Sequence, residues 1–393
     1  MSNKIVFGSI VRNLVNTEPY LSFIKNAEKF GHKISALIIG YNVFADELIL
    51  EELNRYCKTL AFKMGDIDSF LRSFPNCSLS KNELSVLIGE QKYNLYEKLS
   101  YGTMRNNVVL AALTFGADFL LFFDDDVSPK VLMCSDKNTF EFQEIDFVGS
   151  HVSKIKDNDE IVATTSDYTG FYIIPHIDFP NLEDLLFGLQ KENVFSFISS
   201  EENKKPICAQ NISRNIRLTT KILGGNLCLD LRELEFLPPF FSSILVMGGN
   251  CYLGRGEDTL FAPIVKKFKK KCLDIDLPIF HNCYGDFPNK PDFHHQKNLD
   301  RFYLACLGWT IRNPFMNWIR KNFQPEFDLV DDSERYKKLV AGSEAISEYL
   351  NDYRFMHLPV SSIMSQKQLR HSIARFNTLI NNWKKVQKVF SRS

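Results

Sequence analysis

The chain has no excess of either charge. Its 393 residues carry 47 Lys+Arg and 47 Asp+Glu, so no global field draws it to nucleic acid or to an acidic partner. It has no apolar run long enough to span a bilayer. The opening "MSNKIVFGSIVRN" has no secretory h-region of the usual length. The expectation is a protein that is neither secreted nor integral to a membrane and that works in the cytoplasm. No CxxC pair occurs among the nine scattered cysteines. That argues against a thiolate metal site or a disulfide framework and predicts reduced, mostly buried thiols. Internal repeats and low-complexity segments are also missing. What is there is ordinary globular composition, 45% hydrophobic and 24% charged, enriched in 34 Phe. The length suits two or three domains.

The first part alternates strand and helix. "KIVFGSIV" (4–11) is a strand. Thr17 then reads as an N-cap, with Glu18 and Pro19 in the first turn and Gly31 ending the helix. "ISALIIGY", "FADELILEELNRY" and "KTLAFK" continue as strand, helix and strand. A helix is predicted from Glu97 to Thr114, and "DFLLFF" is the fourth strand. This order implies an α/β protein with a largely parallel sheet covered by helices on both faces, binding its ligand beyond the carboxyl ends of the strands. Further on, "DFVGSHV", "EIVATT" and "TGFYIIP" read as strands, and 180–220 as helices and loops including the polar "SSEENKKP". A helix follows from Thr259 to about Lys270, then the strand "CLDIDLPIF". From about 290 onward the chain reads as helical. Its last segment, 353–393, holds eight Lys/Arg and no acid.

The fourth strand runs into Asp124, Asp125 and Asp126. If the extended geometry continues, Asp124 and Asp126 share a face and Asp125 points away. Two hard oxygen donors on one face suit Mg²⁺ or Mn²⁺, which take one or two carboxylates and complete their shell with substrate phosphates. A polar strand end that caps or turns is the plainer alternative. An EF-hand is excluded, because its sixth and twelfth positions are here Pro129 and Ser135. A haloacid-dehalogenase-type phosphatase also uses an apolar strand ending D-x-D, which Asp124, Asp126 and Ser128 match. That motif belongs on a first strand, however, and here it follows over a hundred residues.

A second acidic site, "GRGEDTLF", sets Glu257 and Asp258 between Gly254, Gly256 and an amphipathic helix. Acids there can simply cap the helix. Combined with the aspartates they supply what a transfer reaction needs: a base for the attacking hydroxyl, apart from the cation on the leaving group.

With these residues in place the sequence resembles a GT-A glycosyltransferase of the family 2 type. The D-x-D motif aligns at Asp124–Asp125–Asp126, and G-E-D at Gly256–Glu257–Asp258, about 130 residues later. "MRNNVVLAAL" before the strand and "GGNLCL" near the acceptor side are also similar. The resemblance implies a GT-A fold over residues 1–290, Rossmann-like with a mixed, mostly parallel sheet. Residues 1–130 form the nucleotide-sugar half and 131–290 the acceptor half. A helical extension, 291–393, has no counterpart.

It further implies a nucleotide-sugar donor held by Asp124, Asp125, Arg105, Asn106, Val11 and Asn13. The acceptor would meet Gly225, Asn226 and Gly256. The metal, Mn²⁺ or Mg²⁺, would be held by Asp124, Asp126 and His281, and Asp258, with Glu257 beside it, would be the catalytic base of an inverting transfer to a glycan or lipid-linked hydroxyl. Strand two departs from the family, ending "IGYNVF" where acids commonly hold the nucleotide. The basic tail suggests either a solvated helical face or peripheral contact with the anionic inner face of a membrane. Two other functions stay open: the phosphatase, and a sugar-nucleotide-binding protein without catalysis.

Overall fold

The computed structural model describes residues 3–90, 98–134, 139–171, 173, 179–190, 206–209, 215–323 and 331–391. Strand β1 (Ile5–Leu14) leads to helix α1 (Glu18–Lys29), then β2 (Ala36–Ala45), α2 (Glu47–Asn54) and β3 (Thr59–Lys63). Two short helices, α3 (Ile67–Ser73) and α4 (Lys81–Ile88), precede α5 (Tyr101–Phe115) and β4 (Phe119–Phe123). Next come β5 (Val127–Ser128), the antiparallel pair β6 (Lys130–Cys134) and β7 (Phe140–Glu144), α6 (Phe147–Lys156), β8 (Ile161–Thr165), β9 (Tyr168–Thr169) and α7 (Leu182–Gly188). They are followed by β10 (Arg217–Thr219), β11 (Asn226–Asp230), the pair β12 (Ile244–Met247) and β13 (Asn250–Leu253), α8 (Phe261–Lys267), β14 (Lys271–Asp274) and β15 (Ile279–His281). Four helices close the chain: α9 (Gln296–Phe323), α10 (Asp332–Leu350), α11 (His357–Lys367) and α12 (Leu369–Phe390).

Eight strands form the central sheet in the order β10-β14-β8-β11-β4-β1-β2-β3. β1 pairs in parallel with both β2 and β4, and β11 enters antiparallel between β4 and β8. The sheet is therefore mixed and mostly parallel, as the alternating strand–helix order implied. Every residue of β4 is buried. Leu120 and Phe122 face one core with α5, while Phe119, Leu121 and Phe123 face the other with α1 and α6. Phe123 stacks on Phe23 at 3.9 Å. Strand order reverses around β1, whose carboxyl end lies beside that of β4, and an open α/β sheet splays into a ligand crevice there.

Local signals explain most boundaries. Ser100 caps α5 by accepting from the Thr103 amide at 3.2 Å, and Gly116 at φ 77° ends it. The expected start, Glu97, lies outside the described residues, as do Tyr172, Ile174 and Pro175 of "TGFYIIP" and all but Pro206 of "SSEENKKP"; of the described part of "TGFYIIP" only Thr169 belongs to a strand, β9. Thr17 makes no side-chain cap; Asn16 accepts from the Glu18 amide instead.

Two expectations fail. "DFVGSHV" is helix α6, not a strand: Asp146 caps the Gly149 amide at 2.8 Å, and Phe147, Val148, His151, Val152 and Ile155 recur at helical spacing on the buried side. "CLDIDLPIF" is two strands, because the chain turns at Asp276 with φ 52° before Pro278. The cysteines also depart from expectation at one pair. Cys134 and Cys208 are joined in a disulfide, while the other seven are free thiols, all buried except the half-buried Cys77.

Residues beyond 290 share cores with those before it. Leu299, Phe302, Leu339 and Leu358 pack with Leu185 and Leu245, and Trp383 and Val386 pack beneath the sheet. The Trp383 indole donates to the Leu237 carbonyl at 2.9 Å. The apolar side of α12, which insertion into a membrane would need, is therefore occupied by protein, and no helix among the described residues is long and apolar enough to cross a membrane.

One buried histidine sets a pH limit on this scaffold. His151 on α6 contacts the Thr164 hydroxyl at 2.8 Å and the Asn226 side-chain oxygen at 2.9 Å. The Asn226 amide nitrogen donates to the Asp167 and Leu277 carbonyls, which fixes its oxygen as the acceptor of the His151 Nε2–H. Burial lowers His151 to about 4. The unfolded chain, with His near 6.5, takes up a proton that the folded one refuses. Stability should hold above about pH 6.5 and fall by roughly 3 kcal/mol as pH drops from there to about 4. Denaturant midpoints at pH 7.5 and 4.5 for wild type and His151→Gln would check this. An equal pH loss in both proteins would disprove it.

Candidate active site

The three aspartates do not stay extended. β4 ends at Phe123, Asp125 and Asp126 form a turn, and the chain re-enters a strand at Val127. That corrects the simple alternation expected for Asp124 and Asp126. Asp124 continues the Leu120/Phe122 face toward α5. Asp125 is exposed, and its charge acts on Tyr20 of α1. Asp126 turns toward β15. All three border one cavity of about 1120 Å³.

Arg105 is the hub of the Asp124 side. It rises from α5 over the Phe122 ring, 5.3 Å from its centroid. Its Nε donates to Glu257 at 2.9 Å, one terminal nitrogen to the Gly224 carbonyl at 3.0 Å, and the other to Asp124 at 3.3 Å. One planar fork thus joins three segments distant in sequence. Burial opposes its charge, but Asp124, Glu257 and Asp258 together hold the guanidinium above its ordinary value. The carboxyls feel the complementary pressure. Burial raises Asp124 despite Arg105, and burial together with Asp258 raises Glu257. Acids outnumber bases at this spot, which leaves room for a further cation.

Asp258 sits on the turn before α8, facing the turn that leads into β11. Its two oxygens accept from the Gly224 amide at 2.9 Å and the Thr259 amide at 2.8 Å. Close approach explains the paired glycines. A Cβ on Gly224 would lie 2.2 Å from the Arg105 guanidinium, and one on Gly225 would lie 2.6 Å from Asp124 and 2.7 Å from the Tyr168 hydroxyl. The Gly225 amide donates to that hydroxyl at 3.0 Å, and burial keeps Tyr168 protonated well above its usual range.

On the other side, Asp126 Oδ2 lies 3.2 Å from His281 Nε2 and 2.7 Å from an Arg301 nitrogen. Burial alone would raise this carboxyl, but His281 and Arg301 hold it well below the carboxylate range. Among the described residues no three His, Cys, Asp or Glu side chains are already gathered around a metal position. The pair present nevertheless fits a hard divalent ion. Adjacent ligands of an octahedral ion with bonds of about 2.1 Å lie about 3 Å apart, close to the Asp126–His281 separation. One carboxylate and one imidazole leave further positions for phosphate oxygens and water, as such ions prefer. Asp124, expected as a third ligand, accepts from Arg105 at 3.3 Å and borders the same cavity.

Of the remaining sequence candidates, Val11, Gly256, Glu257 and Asp258 line the cavity. Asn106 does not. It is one residue from Arg105 on a helix, hence turned about 100° away, and it exchanges two 2.8 Å hydrogen bonds with the Phe240 backbone. Asn13 is exposed at the end of β1, and the neighbouring Arg12 lines the wall in its place. Asn226 is buried under the site with His151. Gly225 lies beneath the wall against Asp124 and Tyr168. Sequence reasoning missed Tyr168, Lys221, Arg301, Trp309 and Arg312, all of which line the cavity. The last three come from α9, where Arg301 and Arg312, eleven residues apart, share one helical stripe.

No protein-family model matches the chain, and no curated protein matches it significantly. Solved structures do align with it. Glucosyl-3-phosphoglycerate synthase from Mycobacterium tuberculosis with Mg²⁺ and uridine-diphosphate aligns at TM-score 0.38 and 12% identity, over 79% of this chain and 79% of that one. The same enzyme with Mn²⁺, UDP-glucose and phosphoglyceric acid gives 0.36 and 13%, over 79% of each chain. A mannosyltransferase from Pyrobaculum calidifontis with GDP-Man and Mn²⁺ gives 0.35 and 8%, over 92% of this chain and 86% of that one. Likenesses this distant carry no argument about activity, so the chemistry has to come from the cavity's own residues.

The Arg105 hub makes a stability prediction. Arg105→Met removes the cation while Asp124 and Glu257 stay enclosed, which should cost about 3–5 kcal/mol in the denaturant midpoint. Arg105→Lys keeps the charge without the three-way fork and should fall between. Arg12→Ala, on an exposed side chain, should stay within about 0.5 kcal/mol of wild type. A loss for Arg105→Met no larger than for Arg12→Ala would contradict the hub.

Proposed function

We propose that the protein is a divalent-metal-dependent glycosyltransferase that moves a sugar from a nucleoside-diphosphate donor to an acceptor hydroxyl with inversion. The observation that carries this reading is one cavity in which Asp124 and Asp126, at the carboxyl end of β4, meet Glu257 and Asp258 from far along the chain, with Arg105 bonded to both groups. The volume, about 1120 Å³, exceeds that of typical single-ligand pockets and suits two substrates together.

Asp126 and His281 would hold the ion, Mn²⁺ or Mg²⁺. When bound, it would neutralise charge developing on the departing diphosphate. Asp125, Arg12 and Val11, near the ends of β4 and β1, border the donor half. Asp124 is oriented by Arg105 and faces the same space. Asp258 would accept the proton of the acceptor hydroxyl as its oxygen attacks the anomeric carbon. The bond from that carbon to the diphosphate oxygen breaks, and its electron pair leaves with the nucleoside diphosphate. The amides of Gly224 and Thr259 fix the Asp258 carboxylate for this role, and Glu257, enclosed and bonded to Arg105, positions the loop rather than reacting. The alternative in which Asp124 is a phosphatase nucleophile is disfavoured by the Arg105 grip on that carboxylate.

The test is a thermal-shift screen of nucleotide sugars with Mn²⁺ or Mg²⁺, followed by a transfer and hydrolysis assay on each hit. Wild type should be stabilised by a donor only when metal is present, and chelation should abolish the shift. Asp126→Ala should lose the metal-dependent part. Asp258→Asn should keep donor binding but lose about a hundredfold or more in turnover. Turnover near wild type in Asp258→Asn rejects the base assignment, and donor binding indifferent to chelation rejects the metal.

A further inference from the structure

The cations of the cavity wall are mostly matched. Arg105 pairs with Asp124 and Glu257, Lys221 with Asp167 at 2.5 Å, and Arg301 with Asp126. Arg255 is different. It lines the same cavity, yet among the described residues no carboxylate pairs with it, and the contact its guanidinium makes is with the Tyr101 ring, 5.8 Å from the centroid. A half-buried guanidinium without a counter-charge gives up part of its hydration for little return.

The fold nonetheless holds it there. The Arg255 amide donates to the Gly308 carbonyl at 3.0 Å. A Cβ on Gly308 would stand 2.6 Å from Arg255 Cγ, so this stem lies across α9 where the helix has no side chain. Arg312, one turn further along α9, approaches Gly256: a Cβ there would be 2.6 Å from its guanidinium. Arg255 within the loop and Arg312 from α9 thus both stand at the segment that carries Glu257 and Asp258, and both line the cavity.

We propose that Arg255, with Arg312 beside it, binds a phosphate group carried by the acceptor, whose hydroxyl is thereby presented to Asp258. This rests on the glycosyltransferase reading for the role of Asp258, but the phosphate site itself does not. A guanidinium fork matches two phosphate oxygens. Only Gly256 and Glu257 lie between Arg255 and Asp258 along one loop, so the anion and the reacting hydroxyl are set by a single backbone segment. The acceptor phosphate is bound and not transformed. Its source is either a soluble phosphate ester or the headgroup of a phospholipid-like carrier.

Calorimetric titrations on the full chain separate these outcomes. The probes are inorganic phosphate, and vesicles of phosphatidylglycerol against phosphatidylcholine, each with and without saturating UDP or GDP and Mn²⁺. Wild type should bind phosphate or the anionic vesicles together with the nucleotide. Arg255→Met, which keeps the stem over Gly308, should weaken that binding about tenfold or more, the loss of one charge-assisted contact, and Arg255→Lys should retain part of it. Nucleotide affinity should change less than about twofold in both variants. Binding of phosphate alone points to a soluble acceptor, and Arg255-dependent binding of vesicles to a lipid one. Phosphate that competes with the nucleotide, unchanged binding in Arg255→Met, or no binding of either probe overturns the proposal. If wild type binds phosphate through Arg255 but no nucleoside diphosphate with metal, the glycosyltransferase reading fails while the phosphate site stands.

Discussion

The site depends on one buried guanidinium. Arg105 bonds to Asp124 at the end of β4, to Glu257 in the loop before α8, and to the Gly224 carbonyl ahead of β11. These segments come from both halves of the chain, and no local structure brings them together. A lysine could not hold all three, because it lacks the planar fork. The glycines follow from the same constraint, since Gly224 has to pass the guanidinium and Gly225 has to pass Asp124. His151 acts one shell further out: by fixing Asn226 it fixes the start of β11, and so the turn on which Gly224 and Gly225 sit.

The second consequence is electrostatic. One Arg105 does not balance Asp124, Glu257 and Asp258, and the carboxyls of Asp124 and Glu257 are raised as a result. Across the cavity Asp126 is over-served, with both His281 and Arg301 beside it. The two sides of the wall therefore differ in how their carboxylates are compensated: a single Arg105 serves the Asp124 side, and His281 with Arg301 serves Asp126. Arg301, Trp309 and Arg312 all come from α9, so the helices after 290 complete the cavity wall as well as the core.

Legibility in the sequence followed range. Strand and helix alternation, with the largely parallel sheet it implies, and the two acidic motifs were readable because each is a local pattern whose chemistry is carried by neighbouring residues. Arg105 could be picked from "MRNNVVLAAL", but Asn106 beside it could not be separated from it without the helical phase. Asn226 was read at the ligand, whereas it serves the scaffold. α6 was misread as a strand because its β-rich composition outweighed an Asp cap and a helical spacing of buried residues. The arginines of α9 gave no local signal: their spacing marks a helical stripe, and only the packing of Arg255 over Gly308 shows that the stripe faces a cavity. The Cys134–Cys208 pair spans 74 residues and two otherwise unrelated segments, which scattered cysteine spacing does not reveal.

Three adjacent carboxylates held on one surface would repel by about 4 kcal/mol for each close pair at an effective dielectric of 20. The chain avoids this by geometry before any ion is considered. Pleating sends Asp124 toward α5 and Asp125 toward α1, and the turn that follows sends Asp126 toward β15. Asp124 then meets Arg105, and Asp126 meets His281 and Arg301. Among the described residues no base is bonded to Asp125, and burial with the charges of Asp126 and Asp124 raises it to about 6 even though its side chain reaches solvent. The same sequence feature thus produces three different environments, and the difference comes from which element stands opposite each residue. A run of like charges at a strand end is informative for this reason: it is tolerable only where the fold supplies separate partners, and such a place is already an electrostatically structured cavity.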